Sequence, residues 1–193
     1  MEVERMNKQP KVTQATRQRF IEAFLALYRD KPIERITVRE ISDAAGYNRI
    51  TFYRYFDSIY DLHDNIVRMM YERIRPKILD GVFKSEEQSE FCTQVSTLKQ
   101  EWGEYFRIML KPGFYARVPE DIKEELLRHL CMEFGLKKET VQVSYILDCY
   151  INSVLTLIYS WLSDPKGLSE EEFAEMLWGF LHKGVLQQLN LYR

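Results

Sequence analysis

Apolar residues recur every three to four positions along most of this sequence, and few prolines or glycines interrupt them. Five segments show this spacing: 20–28, 88–110, 120–134, 138–162 and 169–189. The period is that of an amphipathic α-helix. With only 8 Gly and 6 Pro in 193 residues, the chain also lacks the many turns that a β-sandwich or barrel needs. The sequence therefore predicts an all-α protein of about eight or nine helices.

The chain has enough apolar material for a sizeable core. Hydrophobic residues make up 46% of it and charged residues 29%, and the aromatic side chains are 12 Tyr, 11 Phe and 3 Trp. This balance is typical of a soluble globular protein and excludes a disordered or fibrous chain. By its length the chain forms one large domain or two small ones.

Neither a secretion signal nor a membrane span is expected. The first 19 residues are polar and charged. The most apolar segment, 144–162, contains Asp148 and further polar side chains, which favour a buried or partner-facing helix over a transmembrane one. Cys92, Cys131 and Cys149 are too few and too scattered for a disulfide framework. We expect buried free thiols in a cytoplasmic protein.

The first third of the chain divides into an arm and four helices. Residues 1–12 have no apolar period and carry three basic side chains, which indicates a flexible basic arm. The first helix starts at Thr13 and ends just before Pro32, which cannot continue it. Two short helices follow, and either residue of the Asp-Ser pair at 57–58 then caps a connecting helix over 58–76.

The two short helices are joined by a turn that contains glycine. Thr37 and Glu40 have the spacing of a capping box, which starts the first of them. That helix ends at Gly46, because glycine tolerates the positive φ of a helix terminus. The second helix is expected over 49–56. Two helices of this length around such a turn are typical of a helix-turn-helix.

The second of these helices has one apolar and one polar face. Phe52 and Phe56 lie one turn apart and are expected to point inward. Four side chains then face outward: Arg49, Ile50, Tyr53 and Arg54. Such a face suits a DNA major groove, because Arg pairs with guanine, Asn48 with adenine, and an apolar side chain meets the thymine methyl. The pattern alone leaves open an ordinary pair of helices with a solvated polar face.

Residues 13–70 resemble the DNA-binding region of TetR/AcrR-type transcriptional regulators. The resemblance rests on Ile-Thr-Val-Arg-Glu-Ile at 36–41, Ala-Ala-Gly-Tyr-Asn at 44–48 and Thr-Phe-Tyr-Arg-Tyr-Phe at 51–56, followed by Leu62. In that family the second motif helix enters the major groove and the first supports it. The resemblance implies these DNA contacts: Thr37, Val38 and Arg39 near phosphates, Asn48 at the turn, Arg49, Ile50 and Thr51 at base-reading positions, and Tyr53 and Tyr55 on backbone phosphates.

One position departs from the family pattern. The family usually has a phosphate-binding Lys where this chain has Ile59, so we expect a modest affinity or salt dependence. The run Ile-Tyr-Asp-Leu at 59–62 is similar to a branch that includes regulators of dihydroxyacetone-kinase operons. The later part of the chain resembles that branch more weakly, through Trp-Leu at 161–162, Pro165 and Ser-Glu-Glu at 169–171.

The resemblance divides the chain into a DNA-binding domain at 13–58 and an effector-binding and dimerisation domain at 77–193. It implies a homodimer through two helices at about 141–162 and 173–189. Both are apolar over more of their circumference than a surface helix needs, which also suits an interface, although central core helices would look the same. Aromatic side chains either line the effector pocket or belong to the plain core. They are Tyr105, Phe106, Phe114, Tyr115, Tyr145 and Tyr150.

Signatures of catalysis and of metal binding are absent from the sequence. It contains no Gly-rich phosphate loop, G-x-S-x-G, H-E-x-x-H or C-x-x-C. Glu125, His129 and Cys131 give only a weak indication of a metal, because they fall on different faces of one short helix. We expect no enzyme activity, no metal and no cofactor.

Taken together, these features predict a ligand-responsive transcriptional regulator. We expect a repressor that binds a near-palindromic double-stranded operator as a homodimer and responds to a small-molecule effector of unknown identity. An activator is left open, and so is a helical enzyme or small-molecule-binding protein whose N-terminal helices do not bind DNA. The charge distribution favours DNA binding, because residues 1–56 carry a net charge of +4 and residues 57–193 carry −6, within a total of −2.

Overall fold

A computed structural model of the chain describes residues 10–78, 85, 87–136 and 140–181. Within these residues there are eight α-helices and no strand, so the all-α prediction is confirmed for the described part. The helices are α1 (Pro10–Asp30), α2 (Val38–Ala45), α3 (Arg49–Phe52), α4 (Ile59–Lys77), α5 (Gln88–Met109), α6 (Glu120–Glu133), α7 (Val141–Ser163) and α8 (Glu170–Gly179).

The helices form two compact units that divide between Ile66 and Val67. The N-terminal unit contains α1, α2, α3 and the first part of α4. The C-terminal unit contains the rest of α4 and helices α5 to α8. The predicted connecting helix at 58–76 corresponds to α4, and the division falls inside it.

Aromatic rings form the core of the N-terminal unit. Phe20 on α1 is fully buried, and its ring centroid lies 5.5 Å from that of Phe52 and 6.3 Å from that of Phe56. Along α1, Phe24 stacks on Tyr28 at 5.2 Å. Phe52 and Phe56 are both buried, as their spacing predicts. Because α2 and α3 are too short to be stable alone, this packing holds them in place.

Helix α1 begins earlier than the sequence predicts. It starts at Pro10 rather than Thr13, so the predicted arm at 1–12 is wrong for its last three residues. Proline is favoured in the first helical turn, because an N–H at that position has no partner within the helix. The rest of the predicted arm, 1–9, lies outside the described residues. The other end falls at Asp30, before the proline, as predicted.

Helix α3 is shorter than predicted. It covers Arg49–Phe52, whereas the sequence suggests a helix over 49–56. Beyond Phe52 the backbone tightens into three-residue hydrogen bonds, such as that from the Tyr55 N–H to the Phe52 carbonyl at 2.9 Å. The aromatic segment is therefore one helical turn followed by a tight turn, and both aromatic anchors keep their inward direction.

In the C-terminal unit α5 packs against α7 and α8. Thr140 caps α7, and Ser169 starts α8 with a capping box. The Trp161 indole N–H donates to the Leu168 carbonyl at 3.1 Å, and its ring stacks on Phe173 at 4.4 Å. Trp161 thus joins the end of α7 to the start of α8.

The predicted boundaries of the later helices agree with the structure to within a few residues, with one exception. The segment predicted at 169–189 is described only to 181, and α8 ends at Gly179. The remainder of that segment, and with it part of the predicted dimer helix at 173–189, lies outside the described residues.

The prediction of buried cysteines is wrong. Cys92 and Cys131 are half-buried and Cys149 is exposed. Cys149 lies on a face of α7 that the other described helices leave uncovered. By length and composition alone, helix α7 could span a membrane. Only 22% of its most apolar 18-residue stretch is buried against the rest of the chain. Apolar periodicity indicates a face but not whether another helix covers it.

Candidate nucleic-acid interface

The amino end of α2 is a closed capping box. The Thr37 hydroxyl accepts the Glu40 N–H at 3.2 Å, and the Glu40 carboxylate accepts the backbone N–H and the hydroxyl of Thr37 at 2.9 and 2.8 Å. The Lys31 ammonium lies 2.6 Å from the other carboxylate oxygen. The Thr37 hydroxyl, expected near a phosphate, is therefore already engaged. The backbone N–H groups of Val38 and Arg39 are the donors left for an anion at this helix end.

Glu40 carries the charge on which the box depends. Hydrogen bonds from Lys31 and then from Thr37 lower the pKa of Glu40 from 4.5 to about 2. Because the folded pKa lies below the unfolded value, the ionised carboxylate stabilises the fold fully above pH 4.5. That stabilisation is lost as the pH falls towards 2.

We expect Glu40→Gln to lower the midpoint of thermal unfolding at neutral pH and to flatten its decline between pH 4.5 and 2. Glutamine cannot ionise, so the acid-dependent part disappears. Circular dichroism melts across this pH range measure both effects. Glu22→Gln, at an exposed position on α1, is the matched control and should follow the wild-type pH curve. A Glu40→Gln protein with the wild-type acid dependence would contradict this assignment.

The turn between α2 and α3 is anchored to α1. Gly46 has a φ of 77°, the left-handed conformation in which other residues are strained. The next residue, Tyr47, places its hydroxyl 3.2 Å from the Thr16 hydroxyl of α1 and its ring centroid 5.4 Å from Phe20. The predicted glycine terminus is confirmed. The tyrosine that follows it holds the turn against the first helix.

Asn48 caps α3 with its side-chain oxygen. Its Oδ1 accepts the Thr51 N–H at 2.8 Å and the Thr51 hydroxyl at 3.0 Å. Pairing with adenine uses both the oxygen and the nitrogen of an Asn side chain. In this conformation Thr51 occupies the oxygen, so Asn48 defines the start of α3, and its pairing with adenine stays a prediction. Asn48 keeps its predicted place at the turn, beside the base-reading positions.

The outer face of α3 is exposed. Ile50 is 71% exposed and Tyr53 is 56% exposed, although both are large apolar side chains. Arg49 and Arg54 are exposed as well, and no described residue forms an ion pair with either of them. Since Phe52 on the opposite side is fully buried, this face has a fixed direction and no packing role in the described structure.

The remaining predicted contacts lie nearby in the same unit. Arg39 is exposed on α2, 3.6 Å from Asp43 one turn along. Tyr55 is half-buried, with its ring 6.2 Å from that of Phe20, so less of it is exposed than of Tyr53. Sequence reasoning missed Tyr60, which is 55% exposed on the first turn of α4. Its position in the sequence could have indicated this, because Tyr60 does not fall on the apolar face of α4 that is buried.

The C-terminal unit holds a second candidate site, formed by two neighbouring apolar cavities of about 160 and 140 Å³. Of the six aromatic residues predicted for an effector pocket, four line them. Phe106 lines both cavities, Tyr150 lines the larger one, and Phe114 and Tyr115 line the smaller one. The Tyr115 hydroxyl donates to Asp148 at 2.9 Å.

The other two predicted pocket residues line neither cavity. Tyr145 is 73% exposed on α7, and Tyr105 packs its ring 5.5 Å from that of Trp102. The geometry therefore does not support either residue as an effector contact. The sequence could not show this, because helical spacing does not reveal which face of a helix lines a cavity.

The weak metal pattern does not form a metal site either: His129 places Nδ1 2.8 Å from the Glu125 carbonyl. Among the described residues no cluster of three or more possible metal ligands occurs.

The N-terminal unit has the geometry of a helix-turn-helix DNA-binding domain. It presents a supporting helix, a glycine turn and a short second helix whose outer face is free for base contacts. Residues 20–66 match the family model described as bacterial regulatory proteins of the tetR family.

Known proteins agree with this class. The chain is 21% identical over 165 residues, 81% of its length, to the uncharacterized HTH-type transcriptional regulator YxbF of Bacillus subtilis (strain 168), and it spans 42% of that relative's length. Its fold is similar to NalD of Pseudomonas aeruginosa, the secondary repressor of the MexAB-OprM multidrug efflux pump, with a TM-score of 0.63 and 16% identity over 90% of this chain and 97% of that one. It is also similar to the fatty acid degradation regulator FadR of Bacillus halodurans, with a TM-score of 0.61 and 12% identity over 88% and 95% of the two chains. Residues 20–66 therefore match a TetR-type DNA-binding region, and the fold of the described chain is similar to that of the two solved regulators. The narrower resemblance to dihydroxyacetone-kinase-operon regulators stays a prediction.

Proposed function

We propose that this chain is a ligand-responsive repressor that binds a near-palindromic DNA operator as a homodimer. The observation that carries the proposal is the outer face of α3, where Arg49, Ile50 and Tyr53 are exposed while Phe52 anchors the helix from behind. An exposed apolar side chain beside an unpaired arginine suits a thymine methyl next to a guanine. The net charge of +4 on residues 1–56 favours the phosphate backbone around such a contact.

The phosphate contacts we propose come from the rim of the same unit. The backbone N–H groups of Val38 and Arg39 point from the start of α2, where the helix dipole favours an anion. Further phosphate contacts are proposed from the Arg39 guanidinium on α2 and from the two tyrosines just after α3, at 53 and 55. Such contacts position the domain on the duplex, and α3 then reads the sequence.

The homodimer is proposed to form along α7. Tyr145, Cys149, Asn152 and Thr156 are all exposed and lie one turn apart on one face of that helix. Apart from Tyr145 these side chains are short, which lets two helices approach closely. A long apolar helix with little of its surface buried is typical of an interaction face.

We expect the full chain to sediment at micromolar concentration with twice its 23.2 kDa mass. Thr156→Arg should shift it to the monomer, because each copy would bring an unpaired charge into the interface. Glu133→Arg, exposed at the end of α6, is the control and should stay dimeric. Monomeric wild-type protein would contradict the proposed interface.

Effector binding is proposed in the cavities of the C-terminal unit. A ligand that fits one spacing of the two DNA-binding units better than another shifts the dimer towards that spacing. Two such units engage an operator together only when they reach successive major grooves, about 34–36 Å apart. The cytoplasm is the proposed compartment, since that is where bacterial DNA is bound.

A gel-shift experiment with the DNA upstream of the chain's own coding sequence tests the proposed function. We expect a retarded complex that survives competition by random DNA and weakens as salt rises. Indifference to DNA at low salt would favour a helical enzyme or small-molecule-binding protein whose N-terminal helices do not bind DNA. Loss of reporter expression, rather than its gain, on deleting the protein would make it an activator.

A further inference from the structure

The two cavities of the C-terminal unit are neighbours and together have room for more than one ring. Five side chains line both of them: Ile78, Phe106, Leu126, Ile151 and Leu155. An apolar cavity of about 150 Å³ holds one benzene molecule. Cavities of about 160 and 140 Å³ therefore each match one ring-sized apolar group, and the five shared side chains show that the two groups would lie next to each other.

The charged side chains at these cavities are already neutralised. Lys99 lines the larger cavity, where its ammonium is bound by Glu170 and lies 4.6 Å from the Trp161 ring centroid. Arg75 lines the smaller cavity and is paired with Glu125 at 2.5 Å. A charged ligand would have to compete with one of these pairs and move its own charge from water into an apolar cavity, which is costly. An uncharged ligand disturbs neither.

One polar group of the smaller cavity is left to select a ligand. The Tyr71 hydroxyl is buried and lacks a hydrogen bond of normal distance and angle to any described residue. The nearby Glu125 carboxylate is bound by Arg75 and interacts with the hydroxyl only weakly. Burial, and then the charge of Glu125, raise the pKa of Tyr71 to about 12, so the phenol keeps its proton and can donate. A buried donor without a partner is unfavourable, and an acceptor brought by a ligand would remove that penalty.

Resting on the proposed function, we propose that the effector is an uncharged molecule of two ring-sized apolar parts, with one hydrogen-bond acceptor that binds the Tyr71 hydroxyl. The two parts occupy the two cavities, and the acceptor lies on the side of the smaller one.

Three compounds of one shape test this proposal with the full chain by isothermal titration calorimetry. Benzophenone has two rings and an acceptor, diphenylmethane lacks the acceptor, and 4-benzoylbenzoate adds a carboxylate. We expect benzophenone to bind about two- to tenfold more tightly than diphenylmethane. We expect the carboxylate to bind about tenfold more weakly than benzophenone, or worse.

Variants locate the effect. Tyr71→Phe keeps the ring and removes the hydroxyl, so it should abolish the advantage of benzophenone while leaving diphenylmethane unchanged. Tyr105→Phe, which lies on α5 and lines neither cavity, should change neither. Leu155→Trp fills the shared wall and should weaken both compounds. Thermal melts confirm that each variant is folded.

The proposal is overturned if benzophenone does not bind, if the carboxylate binds best, or if folded Tyr71→Phe retains the difference between benzophenone and diphenylmethane. Gel shifts without any compound distinguish a failure of the effector proposal from a failure of the proposed DNA-binding function. Intact DNA binding with failed compound binding rejects only this class of effector, whereas absent DNA binding rejects the proposed function itself.

Discussion

Replacing Phe52 by alanine should destabilise the N-terminal unit by about 3–5 kcal/mol, the usual cost of removing a fully buried aromatic ring. Phe52 is 0% exposed, and its ring centroid lies 5.5 Å from Phe20 and 5.6 Å from Phe56. The loss is a large part of the total stability of a small domain, roughly 5–15 kcal/mol. Because Phe52 is the buried anchor within α3, the exposed face that we propose reads DNA should be lost with it.

Urea unfolding followed by tyrosine fluorescence and circular dichroism measures this effect. Ile50→Ala is the matched control, an apolar truncation two residues earlier on the same helix at a position that is 71% exposed. A surface change of that kind is expected to stay within about 0.5 kcal/mol of wild type. Equal stability of the two variants would show that Phe52 is not the anchor of α3.

Replacing Arg49 by alanine should cost about 1–3 kcal/mol in operator binding and relax the sequence preference at one base pair. Arg49 is exposed on the outer face of α3, next to Ile50, and unpaired among the described residues. An arginine in that position can donate two hydrogen bonds to a guanine, and alanine donates none.

Arg39→Ala is the informative comparison for Arg49→Ala. Arg39 is an equally exposed arginine, but it lies on α2 beside the proposed phosphate site. Its loss should weaken specific and random DNA about equally and reduce the salt dependence. Fluorescence anisotropy with operator and scrambled duplexes, repeated at several salt concentrations, distinguishes the two. If Arg49→Ala also weakens both duplexes equally, Arg49 contacts only phosphate.

The parts of the fold that follow local rules could be predicted from the sequence. The capping box at Thr37 and Glu40 and the glycine terminus at Gly46 depend on residues a few positions apart, and both are present. The inward direction of Phe52 and Phe56 follows from helical geometry in the same way. Helix α3 is shorter than predicted because residues 53–56 form a tight turn. The spacing of apolar residues does not distinguish such a turn from a further helical turn.

Features set by tertiary packing were harder to predict. Cysteine is usually buried, and Cys149 lies on an apolar helix. It is nevertheless exposed, because no described helix covers its face of α7. Tyr145 and Tyr150 are five residues apart on α7, and only Tyr150 reaches a cavity. Which face of a long apolar helix meets its own domain, and which is left for a partner, depends on residues distant in sequence.

The site itself was predicted in outline and changed in detail. The exposed positions on α3 agree with the helical geometry of the motif, but the roles of Thr37 and Asn48 differ from a simple list of contacts. Both side chains are used to start helices, so they position the neighbouring donors and acceptors. Both residues cap a helix in this structure, and their contacts with DNA stay predictions.

Hydroxyl-radical footprinting on the DNA upstream of the chain's own coding sequence tests the central claim most directly. We expect two protected half-sites related by two-fold symmetry, with centres about 34–36 Å apart along the duplex. Protection should be lost in the Arg49→Ala protein at the salt concentration where wild-type protein still protects both half-sites. Uniform cleavage by radicals at low salt, with folded wild-type protein present, would contradict it.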